Sequence, residues 1–228
     1  MEYTVPLALQ DYMTVIFSAV GLALLTSMVA QLDRELGRMA LIGTILTVAG
    51  GAFKATGKLV LAMGGPDVAV LNLGLFPLIA PGFTLMVWSL YQIRRSFRDQ
   101  PPLRRPWLVP LLIIGLVGAG SAAIFNAGGP WRVPLIALAS LANILMLSML
   151  AIASWRRGLR QAAGLFVFTL VVVLVMSQLA SIPFDRIEII WFEQVSQTIA
   201  QALFAFASWQ YGQQILAQYR RPLVAQAA

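Results

Sequence analysis

The sequence predicts an all-α polytopic membrane protein with seven transmembrane helices. Three observations carry that prediction: 59% of its 228 residues are hydrophobic, only 11% are charged, and seven long apolar stretches alternate with short polar ones. A water-exposed domain carries about a quarter charged residues. Too few charges remain to cover such a surface, so most of this one must face lipid, as a single transmembrane domain in the cell membrane.

A spanning helix needs roughly 20 mainly apolar residues. The first segment runs from Asp11 to Gln31. It opens Met1-Glu2-Tyr3 without a basic residue, and Asp11 precedes the apolar run, so it reads as a retained helix rather than a secretory signal. The second, Met39 to Met63, is closed by Gly64-Gly65-Pro66-Asp67. The third, Val68 to Ile93, ends in arginines and the breaker Gln100-Pro101-Pro102. The fourth, Trp107 to Ala127, stops at Gly128-Gly129-Pro130. The fifth, sixth and seventh run from Val133 to Trp155, Ala162 to Pro183 and Ile189 to Gln214. Pro and Gly in such clusters end helices for steric reasons.

Basic residues orient the helices, because cytoplasmic connections are enriched in Lys and Arg. Arg34 and Arg38, then Arg94, Arg95, Arg98, Arg104 and Arg105, then Arg156, Arg157 and Arg160, then Arg220 and Arg221 put twelve arginines on one side. The other side has only Arg132 and Arg186, together with Glu2, Asp11, Asp67, Asp185 and Glu188. All four basic clusters share a side only with seven spans, the N-terminus outside and the C-terminus cytoplasmic. The formal charge of +7 is therefore read as orientation, and nucleic acid is not an expected partner. Trp88, Trp107, Trp131, Trp155, Trp191 and Trp209 lie near helix ends, where tryptophan anchors at the interface.

A shift of 121 residues sets Ser27-Met28-Val29-Ala30 on Ser148-Met149-Leu150-Ala151. It also sets Gly37 on Gly158, Gly43 on Gly164, Asp67 on Glu188, Phe83 on Phe204, Trp88 on Trp209 and Gln92 on Gln213. The expectation is a parallel duplication: repeat one over 11–93, a linker helix at 107–127, and repeat two over 133–214. This three-plus-one-plus-three plan resembles that of microbial rhodopsins and SWEET-type sugar transporters, as architecture only. The rhodopsin resemblance would imply a retinal lysine in the middle of the seventh helix. Ala200-Gln201-Ala202-Leu203-Phe204-Ala205-Phe206 holds none, and the Pro-Gln motif of the sugar transporters is missing too.

Cysteine and histidine are absent, which excludes disulfides, the usual thiolate and imidazole metal sites, and Ser-His or Cys-His catalysis. No cofactor, no metal and no enzymatic activity are expected. Ionisable residues within spans read instead as a ligand site. Lys54 and Lys58 lie one turn apart in the second helix, on a stripe with Thr44, Thr47 and Gly51. The seventh helix carries Glu193, Gln194, Gln197, Gln201 and Ser208. Asn72, Asn126, Gln178 and Ser181 join them by depth. The expected ligand-binding set is thus Lys54, Lys58, Asn72, Gln178, Glu193, Gln197 and Gln201, around a polar cavity in the extracytoplasmic half.

Plain structural roles stand beside that one. Lys58 could snorkel to the headgroups, Lys54 could pair with Glu193, and the amides could bond neighbouring helices. Two ammonium groups against one carboxylate would favour an anionic ligand. Pro77, Pro81 and Gly82 in the third helix are expected to form a kink or hinge. Gly115, Gly118 and Gly120, like Ala139 and Ala142, are expected to allow close helix approach.

The functional expectation is a transporter or permease for a small anionic or amphiphilic solute. The alternatives are a seven-helix ligand-binding sensor or receptor without a retinal Schiff base, and a non-catalytic accessory subunit of a membrane complex. The partners expected are the lipid bilayer and a small-molecule ligand, with a homo-oligomer or partner subunit compatible with either.

Overall fold

The computed structural model describes residues 4–97, 100, 103, 105–179 and 187–227. Helix is the only regular structure among them: α1 (Val5–Leu32), α2 (Arg34–Ala62), α3 (Ala69–Leu73), α4 (Leu75–Ser96), α5 (Leu108–Asn126), α6 (Arg132–Arg156), α7 (Arg160–Leu179) and α8 (Ile187–Ala227). The short α3 and α4 form one membrane-length unit, Ala69–Ser96, so eight helices make seven units. Five of these are long and apolar enough to cross a membrane: α1, α2, the α3–α4 unit, α5 and α6. The chain is an all-α, multi-pass membrane protein. Its outer faces say the same, since Leu9, Met13, Ile16 and Val20 on α1 and Leu111, Leu112 and Leu116 on α5 stand exposed. Such surfaces belong against hydrocarbon rather than water.

Several helices outrun the expected spans, because a count of apolar residues misses polar turns outside the hydrocarbon. The second helix begins at Arg34 rather than Met39, since the Asp33 side chain accepts a hydrogen bond from the Leu36 N–H at 2.9 Å and caps it. Gly64, Gly128 and Gly158 take φ values of +77°, +73° and +78° just past the ends of α2, α5 and α6. Glycine meets that left-handed requirement at helix C-termini without strain. The expected end of the sixth span, Pro183, lies outside the described residues.

The break in the third unit falls at Gly74, one residue before α4, and not between the two prolines. Pro77 sits in the first turn of α4, where a missing N–H costs least, and offers no donor to the Leu73 carbonyl. Pro81 is accommodated inside α4. Gly82 serves close packing: a Cβ there would meet Thr47 Oγ1 and lie 2.8 Å from the Gly43 carbonyl.

Contacts fix how the helices run. Gly43 faces Gly82 and Leu85, Gly50 faces Leu78 and Ile79, and Gly57 faces Leu71 and Asn72. Three glycines seven residues apart thus seat α2 antiparallel on the third unit, where any side chain would hold the backbones apart. Thr26 bonds Thr44 at 2.8 Å and Tyr12 bonds Thr56 at 2.7 Å, so α1 and α2 are also antiparallel. By contrast α1 and α8 are parallel, with Thr14 on Thr198, Gly21 on Phe204, and Met28 beside Gly212.

The main helix neighbours close a ring in the order α1, α2, α4, α6, α7, α8 and back to α1, with α5 outside against α4 and α6. The looseness of α5 overturns one expectation. A Cβ on Gly115, Gly118 or Gly120 would meet nothing within 4 Å, so these glycines do not mediate close packing. Ala139 and Ala142 of α6 are buried as expected.

Candidate functional site

The ring is hollow toward one end and packs a dry core toward the other, short of a small vestibule. Buried Leu22, Leu25, Met28 and Val29 of α1 meet Met86 and Leu90 of α4, Met146, Leu147 and Leu150 of α6, Phe166 of α7, and Phe204 of α8. All of these lie toward the ends that carry Arg34, Arg94, Arg156 and Arg160. Toward the opposite end, three cavities of about 170, 170 and 30 Å³ share walls and descend between the helices. The first and second share Thr14, Val15 and Gly51, and the second and third share Ser18, Phe83 and Gln201.

The uppermost cavity gathers the charges. Lys54 and Lys58 reach it from α2, Glu193, Gln194 and Gln197 from α8, and Asp11 with Thr14 from α1. Helical spacing explains the α1 contribution: Asp11, Thr14 and Ser18 follow one another at three and four residues, on one face. Lys58 Nζ lies 2.5 Å from Asp11 Oδ2, with side chains 15% and 17% exposed. Lys58 is therefore tied across to α1. The Gln197 amide donates to Glu193 Oε1 at 3.1 Å. Gln10 donates to Thr198 Oγ1 at 3.1 Å, and Thr14 and Thr198 share a hydrogen bond of 2.7 Å, which fasten the α1–α8 wall.

Lys54 stands apart. Its side chain is exposed within the cavity, and no described carboxylate lies within ion-pair distance of it. A direct Lys54–Glu193 salt bridge is absent among the described residues. The side-chain oxygen Oε1 of Gln194, a residue only 5% exposed, has no hydrogen-bond partner. A buried acceptor left so is costly unless something else supplies a donor.

The charge count differs from the sequence expectation. Asp11 adds a second carboxylate, so the described lining holds two ammonium groups and two carboxylates rather than a net positive set. Of the expected ligand residues, Lys54, Lys58, Glu193 and Gln197 line the upper cavity, and Gln201 lines the lower two. Asn72 instead donates to Asp67 Oδ1 and packs on Gly57, outside the cavity lining. Gln178 is exposed on α7 and Asn126 is exposed at the end of α5, both outside it, while Ser181 lies outside the described residues. Thr47 lines the middle cavity, and Thr44 is spent on Thr26. Ser208 is fully buried toward the arginine end.

Pro77 and Pro81 face elsewhere. With Ser121, Phe125 and Trp131 they line an apolar crevice of about 640 Å³ between the third unit, α5 and α6, left by the loose seating of α5. Beyond the dry core, at the arginine end, a vestibule of about 160 Å³ is lined by Arg94, Arg156, Arg157, Phe97 and Tyr211. Arg157 stacks 4.9 Å from the Phe97 ring centre and donates to Gln218 Oε1 at 2.6 Å.

Sequence reasoning missed Asp11 as a site residue because it was counted only toward orientation. Its helical spacing with Thr14 and Ser18 is the signal that would have found it. No protein-family model matches the chain, and no curated protein or solved structure matches it either.

Proposed function

We propose that the chain is a transporter or permease for a small charged solute, which it admits through the Lys54 cavity. The observation that carries the proposal is the division of the ring: a descending polar cavity at one end, a basic vestibule at the other, and a dry core between. From Leu22 to Met28 that core is six residues deep, on the order of 9 Å at about 1.5 Å per residue. Such a layer blocks a charged solute, since burying an unpaired charge costs several kcal/mol. A cavity closed at one end is what one state of an alternating-access carrier requires.

Positive-inside bias supports placing the arginine end in the cytoplasm and the Lys54 cavity outside. The ring order supports the duplication. Under it α1–α2 corresponds to α6–α7, α2–α4 to α7–α8, and α4–α6 to α8–α1. Not every matched residue keeps its use: Gly37 packs against Ala30, whereas Gly158 closes α6 with a positive φ. The gap at Gly74 and the two prolines of the third unit supply the hinge in this reading. A non-enzymatic role fits a chain without histidine or cysteine.

Uptake by the purified chain in proteoliposomes tests the proposal. Flux should be lost in both Lys54→Ala and Glu193→Gln. Unchanged flux in both sinks it. Binding without flux favours the sensor reading, in which the same cavity holds a ligand but never opens to the far side.

A further inference from the structure

The Lys54 cavity holds an ammonium group and a carboxylate that do not neutralise each other. Lys58 is matched by Asp11 at 2.5 Å, so that pair adds no net charge. What remains is Lys54, with no hydrogen bond or ion pair to any described residue, and Glu193, which receives one hydrogen bond from Gln197. Beside Glu193, the next residue on α8, Gln194, presents a buried side-chain oxygen, Oε1, without a donor. One wall of the cavity therefore wants an acceptor of hydrogen bonds, and another wants a donor.

An ammonium group carries three donors and no acceptor, and a carboxylate is acceptor-only. We infer that the site binds a small zwitterion, such as an α-amino acid or a related ammonium carboxylate. Its carboxylate lies on Lys54, and its ammonium group lies between the Glu193 carboxylate and the Gln194 Oε1. The substrate class rests on the proposed transport reading but is separable from it. Charge balance excludes the simpler ligands. A lone anion would meet Lys54 and leave Glu193 and Gln194 unsatisfied, and a lone cation would do the reverse. Size agrees, because a cavity of about 170 Å³ holds a solute of a few heavy atoms and not a lipid headgroup with its chains. Thr14, Ser18 and Gln201 continue the polar wall downward, so a short polar or small apolar side chain can extend below the charged end.

The test compares matched probes on the full, unaltered chain in lipid nanodiscs, read as thermal stabilisation and by calorimetry. Glycine, L-alanine and L-leucine are each set against the same molecule lacking its amino group and the same molecule lacking its carboxyl group. At least one amino acid should bind about tenfold or more tightly than both of its truncated forms, as expected when a buried polar partner is left unmet. Lys54→Gln and Glu193→Gln should each abolish that preference. The comparison on the unaltered chain stands even if either variant folds poorly. Equal binding of the des-amino acids, or no binding by any of the three amino acids, overturns the inference. Proteoliposome flux separates the two readings. Zwitterion binding without flux keeps the site and sinks transport. Flux of a simple anion that glycine, alanine and leucine fail to compete keeps transport and sinks the zwitterion.

Discussion

The two ends of one helix ring are built on opposite principles. Toward the arginine end, Leu25, Val29, Met86 and Phe166 are at or near complete burial and line neither the descending cavities nor the vestibule beyond them. At the other end the same helices turn Asp11, Thr14, Lys54 and Glu193 inward and stand apart around a cavity. Burial alone does not separate the ends. What separates them is what the unmet groups face: the partnerless Ser154 and Ser208 hydroxyls are sealed in packed core, whereas Lys54 and the Gln194 side-chain oxygen line a cavity. Substitutions should accordingly register as lost stability in one half and lost binding in the other.

The largest effect is expected in the dry half. Phe204 is 2% exposed, packs edge-on to Phe166 with ring centres 6.1 Å apart, and closes over Gly21. Phe204→Ala should cost about 3 kcal/mol, the range for an aromatic side chain removed from a packed core. Thermal unfolding in detergent reads it, and a shift too small to resolve would deny that this half carries the stability. In the open half, Lys54→Gln should leave the melting temperature nearly unchanged and weaken ligand binding about tenfold, roughly 1.4 kcal/mol. Calorimetry with the best amino acid checks this, and equal losses of stability and binding would blur the contrast.

Asp11→Asn should fall between the two kinds of effect. The pair with Lys58 is partly buried, so its loss should cost about 1 kcal/mol, more than a surface pair. Melting should fall modestly, and flux should fall with it because the cavity lining loses one of its two carboxylates. The smallest effect is expected for Asn126→Ala, an exposed position outside the cavity: less than about 0.5 kcal/mol in stability and no change in binding. A clear binding defect there would redraw the site.

The sequence disclosed the helices more readily than the site. Length and apolar composition suffice to mark a span, and glycines with prolines mark its ends, so the seven units were legible. Depth was legible too, but azimuth was not. Asn72, Asn126 and Gln178 share the depth of the cavity residues and point elsewhere, because depth does not say which face a residue occupies. Gly43, Gly50 and Gly57 recur at seven residues, a period that brings them to one face, and this signal could have foretold the contact with the third unit. Asp11 needed its partner helix to be known before it could be told from an orienting charge. The Gly74 break was illegible for a different reason: Pro77 displaces it upstream, onto the residues whose hydrogen bonds it fails to complete.

The division of the ring is the central claim, and the absence of native cysteine makes it directly measurable. Single cysteines at Ser18, on the cavity wall, and at Leu25, within the dry core, can be probed with a membrane-impermeant thiol reagent in sealed vesicles. The account predicts that Ser18→Cys reacts only from the side bearing the Asp67 turn, and that Leu25→Cys is protected from both sides. Labelling of Leu25→Cys, or of Ser18→Cys from the arginine side, would contradict it.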